Sequence, residues 1–194
     1  MILEKARDLL SPFPKVVIYE SDEYRISTFK KVKGCYYKIQ NKTNKKQKRI
    51  YKNQDMVKFE KDLKKFNIDK NLLISNVRDK IKVAIESIEE SSSNVDFYAM
   101  KKALYTQDEV ILLGISKKYP RRMLILNNKN NKNEYQMVYY YDYKTSNKKG
   151  INVIIDIPYG DIVRECKREN IDFNQVLTNM KKQMDKKYEN IFLK

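Results

Sequence analysis

The chain has 194 residues, 41% of them hydrophobic and 34% charged, which supports a folded core and excludes wholesale disorder. Histidine is absent, which removes the commonest general base and metal ligand and lowers the expectation of an enzyme. With 41 Lys and Arg against 25 Asp and Glu, the formal charge is +16, and a protein this basic most often partners nucleic acid.

The first residues lack a basic start followed by an apolar stretch, so no signal peptide is expected. No apolar run approaches the roughly 20 residues a membrane span needs, so a cytoplasmic protein without a membrane partner is expected. Residues 2–10 predict a short helix, stopped by Ser11-Pro12-Phe13-Pro14. Residues 15–19, 24–29, 35–40 and 49–51 predict four strands, joined by Lys- and Asn-rich hairpin tips. From Met56 to Phe66, the spacing of Met56, Phe59, Leu63 and Phe66 predicts a helix with one apolar face. Asp69 or Asn71 then caps a longer helix to about Ile88, carrying the stripe Leu73, Ile74, Val77, Ile81, Ile85, Ile88.

Glu89-Glu90-Ser91-Ser92-Ser93-Asn94 reads as a linker. After it the order recurs. Residues 97–105 predict a short helix, and residues 109–115, 122–126, 135–143 and 151–157 four strands. Asp161 caps a helix to about Arg168, and Asp172 or Asn174 caps the last, to about Phe192.

The recurrence reaches individual residues. Asn67-Ile68-Asp69-Lys70-Asn71 is matched by Asn170-Ile171-Asp172-Phe173-Asn174, at an offset of 103. The same offset pairs Leu73 with Val176, Ile74 with Leu177, Val77 with Met180, Ile81 with Met184, Ile85 with Tyr188 and Ile88 with Ile191. The expected fold is therefore α+β with pseudo-two-fold symmetry. Residues 1–93 and 94–194 form related repeats, each a short helix, a four-stranded antiparallel sheet and two helices.

Charge is spread over both halves. Residues 1–94 hold 22 basic and 13 acidic residues, and residues 95–194 hold 19 and 12. Lys30 to Asn53 contains ten Lys or Arg and no acid. Cations on hairpin tips suit phosphate contact, so Lys42, Lys45, Lys46, Lys48 and Arg49 form one candidate arm and Lys144, Lys148 and Lys149 a second. Arg121-Arg122 is a smaller candidate. Along residues 135–143, alternation sends Tyr135, Met137, Tyr139, Tyr141 and Tyr143 to one face. Tyr36 and Tyr37 occupy the corresponding strand of the first half. Such faces either stack single-stranded bases, with Tyr139 and Tyr141 as the candidate platform, or pack as ordinary core.

Cys35 and Cys166 form no CxxC, and the bland reading of each is a buried, reduced thiol. Asp156, Asp161 and Glu165-Cys166-Lys167 mimic the Asp…Glu-x-Lys of metal-dependent nucleases, but fall where a helix is predicted rather than a strand. No Gly-rich phosphate loop or nucleophile elbow is present, so a non-enzymatic protein with no cofactor and no metal is expected. In layout the chain is similar to the pseudo-symmetric tandem-repeat nucleic-acid binders of the Whirly and PUR-alpha families, whose units are a sheet followed by a helix. The likeness is one of architecture and fits the expected partner, DNA or RNA of either strandedness; a protein partner and a homodimer are further candidate associations. Neither family's sequence motif is present and the extra helices depart from both, so no residue roles carry over. The rival expectation is a phage or mobile-element interaction protein, which binds or inhibits a host protein or ribonucleoprotein complex.

Overall fold

The computed structural model describes residues 2–31, 34–88, 95–104, 110–119, 121–127, 134–140, 152–156 and 162–193. They fold as α+β, with six α-helices and two antiparallel sheets among the described residues. Two compact units result, residues 1–103 with 184–194 and residues 104–183. No described helix is long and apolar enough to cross a membrane.

In the first unit, α1 (Ile2–Leu10) precedes β1 (Val17–Glu20), β2 (Tyr24–Lys31), β3 (Gly34–Asn41) and β4 (Lys48–Tyr51), which pair in chain order. Register sets Ile26 opposite Ile39, Thr28 opposite Tyr37, and Tyr37 opposite Tyr51. Strand alternation puts these side chains on one face, and all of them are buried. Helices close over it: α1 packs on β3 and on α3 (Lys70–Glu86), and α2 (Met56–Lys65) packs on β4. Phe59 of α2 stacks on Tyr37, with ring centroids 5.0 Å apart, and leans on Tyr51 at 4.9 Å. The Tyr37 hydroxyl donates to the Leu3 carbonyl at 2.7 Å. These tyrosines are core, each supplying a large apolar body and one satisfied hydroxyl. Leu3, Ala6 and Leu10 of α1, and Leu73, Val77, Ile81 and Ile85 of α3, form the buried stripes that helical periodicity requires. Each of the Leu, Val and Ile side chains among them contributes about 1.5–3 kcal/mol by leaving water. Arg7 lies in the same stripe, fully buried, with an ion pair to Asp8 at 3.1 Å. The helix α4 (Phe97–Leu104) follows, its Met100 and Ala103 buried.

The repeated Asn-Ile-Asp has a local physical cause. Asn67 stands at φ 51°, the left-handed region where Asn is tolerated after Gly, and ends α2. The Asn67 N–H donates to Lys64 O at 3.1 Å and the Ile68 N–H to Leu63 O at 2.9 Å, the paired bonds of a Schellman stop. Ile68 turns inward and is buried, while Asp69 begins α3, its side chain accepting from the N–H groups of Asn71 and Leu72. One stretch thus stops a helix, anchors the corner and starts the next helix.

The second unit contains β5 (Ile111–Ile115), β6 (Arg122–Asn127), β7 (Glu134–Tyr140) and β8 (Asn152–Asp156), again paired in chain order. The helices α5 (Ile162–Glu169) and α6 (Phe173–Phe192) follow. Asn170 also stands at φ 51°, the Ile171 N–H donates to Cys166 O at 2.8 Å, and Asp172 accepts from the Asn174 N–H at 3.0 Å. This corner is pinned to the sheet. A Cβ on Gly114 would come within 2.5 Å of the Ile171 side chain, so only glycine lets β5 approach it. The Lys117 N–H donates to Asn170 O, and the Asn179 amide donates to Leu113 O.

Both cysteines are free and buried. Burial pushes the Cys166 thiol up to about 12, with Glu165 adding to the shift, and raises that of Cys35 as well. The linker at 89–94 and the expected cap Asp161 lie outside the described residues, as do the ends of the expected strands at 109, 141–143, 151 and 157.

Candidate nucleic-acid interface

The β3–β4 hairpin of the first unit carries the basic arm, and its tip is built rather than loose. The Asn41 side-chain oxygen accepts from the Asn44 N–H and from the Thr43 hydroxyl, each at 2.7 Å. Asn44 does the same for the Lys46 N–H at 3.2 Å, and the Gln47 N–H donates to Asn44 O at 2.8 Å. Short polar side chains that satisfy nearby backbone are what hold such turns in shape. The lysines between them are thereby displayed on a defined frame.

The five cations of this arm are all exposed, but not equally available. The Lys42 ammonium donates to Ser21 O at 2.9 Å and pairs with Glu20 at 3.4 Å. Arg25 also binds Glu20, at 2.6 Å, and these two cations, Arg25 foremost, hold its carboxyl below the usual range. Arg49 donates to Asp62 at 2.7 Å, and the Tyr51 hydroxyl donates to the other Asp62 oxygen at 2.7 Å. Burial pushes the Asp62 carboxyl up, and the hydrogen bonds from Arg49 and Tyr51 outweigh it, so the group stays below its ordinary value. The side-chain ammonium groups of Lys45, Lys46 and Lys48 make no ion pair or hydrogen bond among the described residues.

Beside the arm lies a cleft of about 460 Å³, between the ends of β2, β3 and β4 and the C-terminus of α2. Lys46, Lys48, Arg49 and Lys65 line it, with Tyr24 and Phe66. Tyr24 and Phe66 are stacked, with ring centroids 4.7 Å apart and planes 27° apart. The Arg49 guanidinium lies 5.3 Å from the Phe66 ring centroid. Basic Lys64 and Lys65 offset the negative end of the α2 dipole at this point. The positive field continues across the sheet: the Lys38 ammonium is shifted down by burial and by Lys15, Lys48 and Arg25.

Tyr24, Lys65 and Phe66 were not among the residues expected from sequence. The available signal was that Tyr24 opens a strand whose register partner, Asn41, begins the basic hairpin. Phe66 has an aromatic's periodicity for the core but sits at the helix end, half-buried and stacked on Tyr24.

The other expected residues fare differently. Arg122 donates to buried Glu169 at 2.8 Å and lies 3.9 Å from the Tyr119 ring centroid, so it ties β6 to α5. Arg121 is exposed beside it. Tyr36, Tyr37 and Tyr135 are buried, and so are Met137, Gln136 and Val138, so both faces of β7 are covered along that stretch. The Tyr139 side chain, Tyr141, Lys144, Lys148 and Lys149 lie outside the described residues. Glu165, Cys166 and Lys167 are on helix α5, and no cluster of three or more acidic or thiol ligands occurs among the described residues.

No protein-family model, curated protein or solved structure shows significant similarity to this chain, so the likeness in layout to Whirly and PUR-alpha units gains no support from them.

Proposed function

We propose that this is a non-enzymatic nucleic-acid-binding protein that holds a single strand on the basic hairpin and adjoining cleft of its first unit. One observation carries the reading. Lys46, Lys48, Arg49 and Lys65 converge on a cleft beside the stacked Tyr24–Phe66 pair, while Lys45, Lys46 and Lys48 have no protein partner among the described residues. Cations that track a backbone, beside aromatic faces on which bases stack, are the working parts of single-strand binders. Stacking is here assigned to Tyr24 and Phe66, since Tyr37 and Tyr51 are committed to the core.

The chain is further proposed to be a duplication. The constant offset of 103, which carries the match past the Asn-Ile-Asp corner into the apolar stripe of the following helix, supports common descent of the two halves. On that reading Lys144, Lys148 and Lys149, with Tyr139 and Tyr141, belong to the second copy's counterpart of the arm.

The test is a titration of the purified protein with single-stranded DNA, duplex DNA and RNA across a salt series. Binding at low salt with Kd at or below roughly 10⁻⁴–10⁻⁶ M, weakening steeply with salt, is expected. Absence of binding to all three at low salt would overturn the proposal and favour the rival protein-partner reading. Strand cleavage on adding a divalent metal would overturn its non-enzymatic part.

A further inference from the structure

We infer that the first unit's cleft is a site for one nucleotide unit bearing a terminal phosphate monoester, either free or at the end of a strand. The inference rests on the nucleic-acid reading above and adds to it the class of ligand the cleft takes. A cleft of about 460 Å³ has the room of a small-ligand site, roughly 300–1,000 Å³. Four cations line it, and the adjacent carboxylate, Asp62, is already engaged by Arg49 and Tyr51. An internal phosphodiester brings a single negative charge. A monoester brings about −1.5 to −2 at neutral pH and three strong acceptor oxygens, the better match to four converging cations.

Arg49 is set up for this role. Asp62 takes one of the five N–H donors of its guanidinium and leaves the others for a ligand. Its neighbour Phe66 is stacked on Tyr24, and both rings are half-buried, so the pair offers a base its exposed edges within one nucleotide's length of the cations. Lys46 and Lys65 reach the cleft from the hairpin and from the end of α2 respectively. Both are exposed, so replacing them leaves the fold intact.

The experiment compares short single strands ending in a 5′-phosphate, a 3′-phosphate or hydroxyls at both ends, together with free adenosine monophosphate. Each is titrated against the wild type and the Lys46→Gln/Lys65→Gln variant. A phosphorylated end is expected to bind about ten- to a hundredfold tighter than the hydroxyl strand, the worth of a charge-assisted hydrogen bond. The variant is expected to bind every strand more weakly and to lose the preference for a phosphorylated end. Equal affinity for phosphorylated and hydroxyl ends overturns the inference and leaves the proposed function standing. Binding of the free nucleotide without binding of any strand keeps the cleft as a nucleotide site and overturns the proposed function. No binding of any probe overturns both.

Discussion

Splitting the basic hairpin by availability gives the sharpest test of how it works. Lys45, Lys46 and Lys48 have no side-chain partner among the described residues, whereas Lys42 is held by Ser21 and Glu20. On the proposed function, converting Lys45, Lys46 and Lys48 together to Gln removes three phosphate contacts. Each contact contributes about 0.9 to the log–log salt slope on duplex and about 0.7 on single strands, so the slope should fall by roughly 2 to 3. Over a fourfold rise in salt the variant then loses about 20- to 40-fold less affinity than the wild type. Lys42→Gln alone should shift the slope by well under one contact's worth, because its charge already faces Glu20. Fluorescence anisotropy at four or more salt concentrations measures both, with melting temperature as the control for folding. Exposed lysines of this kind change stability by less than about 0.5 kcal/mol. An unchanged slope in the triple variant, or a Lys42 effect equal to one third of the triple effect, refutes the division into free and occupied cations.

Tyr51→Phe removes one of the hydrogen bonds that hold Asp62 ionised and is expected to cost about 1.5–3 kcal/mol at neutral pH by urea unfolding. Because the folded-state pKa of Asp62 lies below its ordinary 3.8, its contribution is full above that value and is lost as pH falls through the folded pKa. The Tyr51→Phe penalty should therefore shrink in acid, and a penalty that is constant down to pH 2 would count against the network. Gly114→Ala forces a methyl to within 2.5 Å of the Ile171 side chain and 3.1 Å of that of Val176. It is expected to cost about 1–3 kcal/mol, read as a lowered urea midpoint; an unchanged midpoint would mean that the corner gives way freely. Arg7→Met exchanges a buried guanidinium, whose Nε has no partner among the described residues, for an apolar chain of similar reach. Stability is expected to stay level or to rise by about 1 kcal/mol or more, and a large loss would show that the ion pair with Asp8 outweighs the desolvation of Arg7.

The elements of the fold were legible because their signals are local. The α3 stripe Leu73, Val77, Ile81, Ile85 could be read at helical spacing, and the strands at 24–29 and 35–40 could be read from β-branched and aromatic residues between turn formers. The Asn-Ile-Asp repeat was legible as a pattern, but its meaning was conformational: a left-handed Asn, a buried Ile and a capping Asp are what one tight helix corner demands. Sequence recurrence alone does not separate that demand from a shared binding role. For the tyrosines, alternation assigned a face without saying whether the face would be covered. The answer for Tyr37 came from Phe59, twenty-two residues on, stacking on its ring.

What the sequence hid about the candidate site is a matter of pairing. Five cations in a run of eight residues look alike in one dimension, and their counting treats each as a phosphate contact. In the folded chain Glu20 arrives from β1 and Asp62 from α2, and between them they occupy Lys42 and one edge of Arg49. Those two acids act in opposite ways on the proposed site. Glu20 withdraws a cation from the surface, since the Lys42 ammonium has no fixed plane to present once paired. Asp62 withdraws part of Arg49's charge, yet anchors one edge of a planar group whose remaining donors stay available to the proposed ligand, beside Tyr24 and Phe66. An acid-free run of basic residues is therefore a poor measure of a footprint by itself. Its strength depends on which acids the tertiary fold carries back to it, and on whether each neutralises a point charge or anchors one edge of a fork.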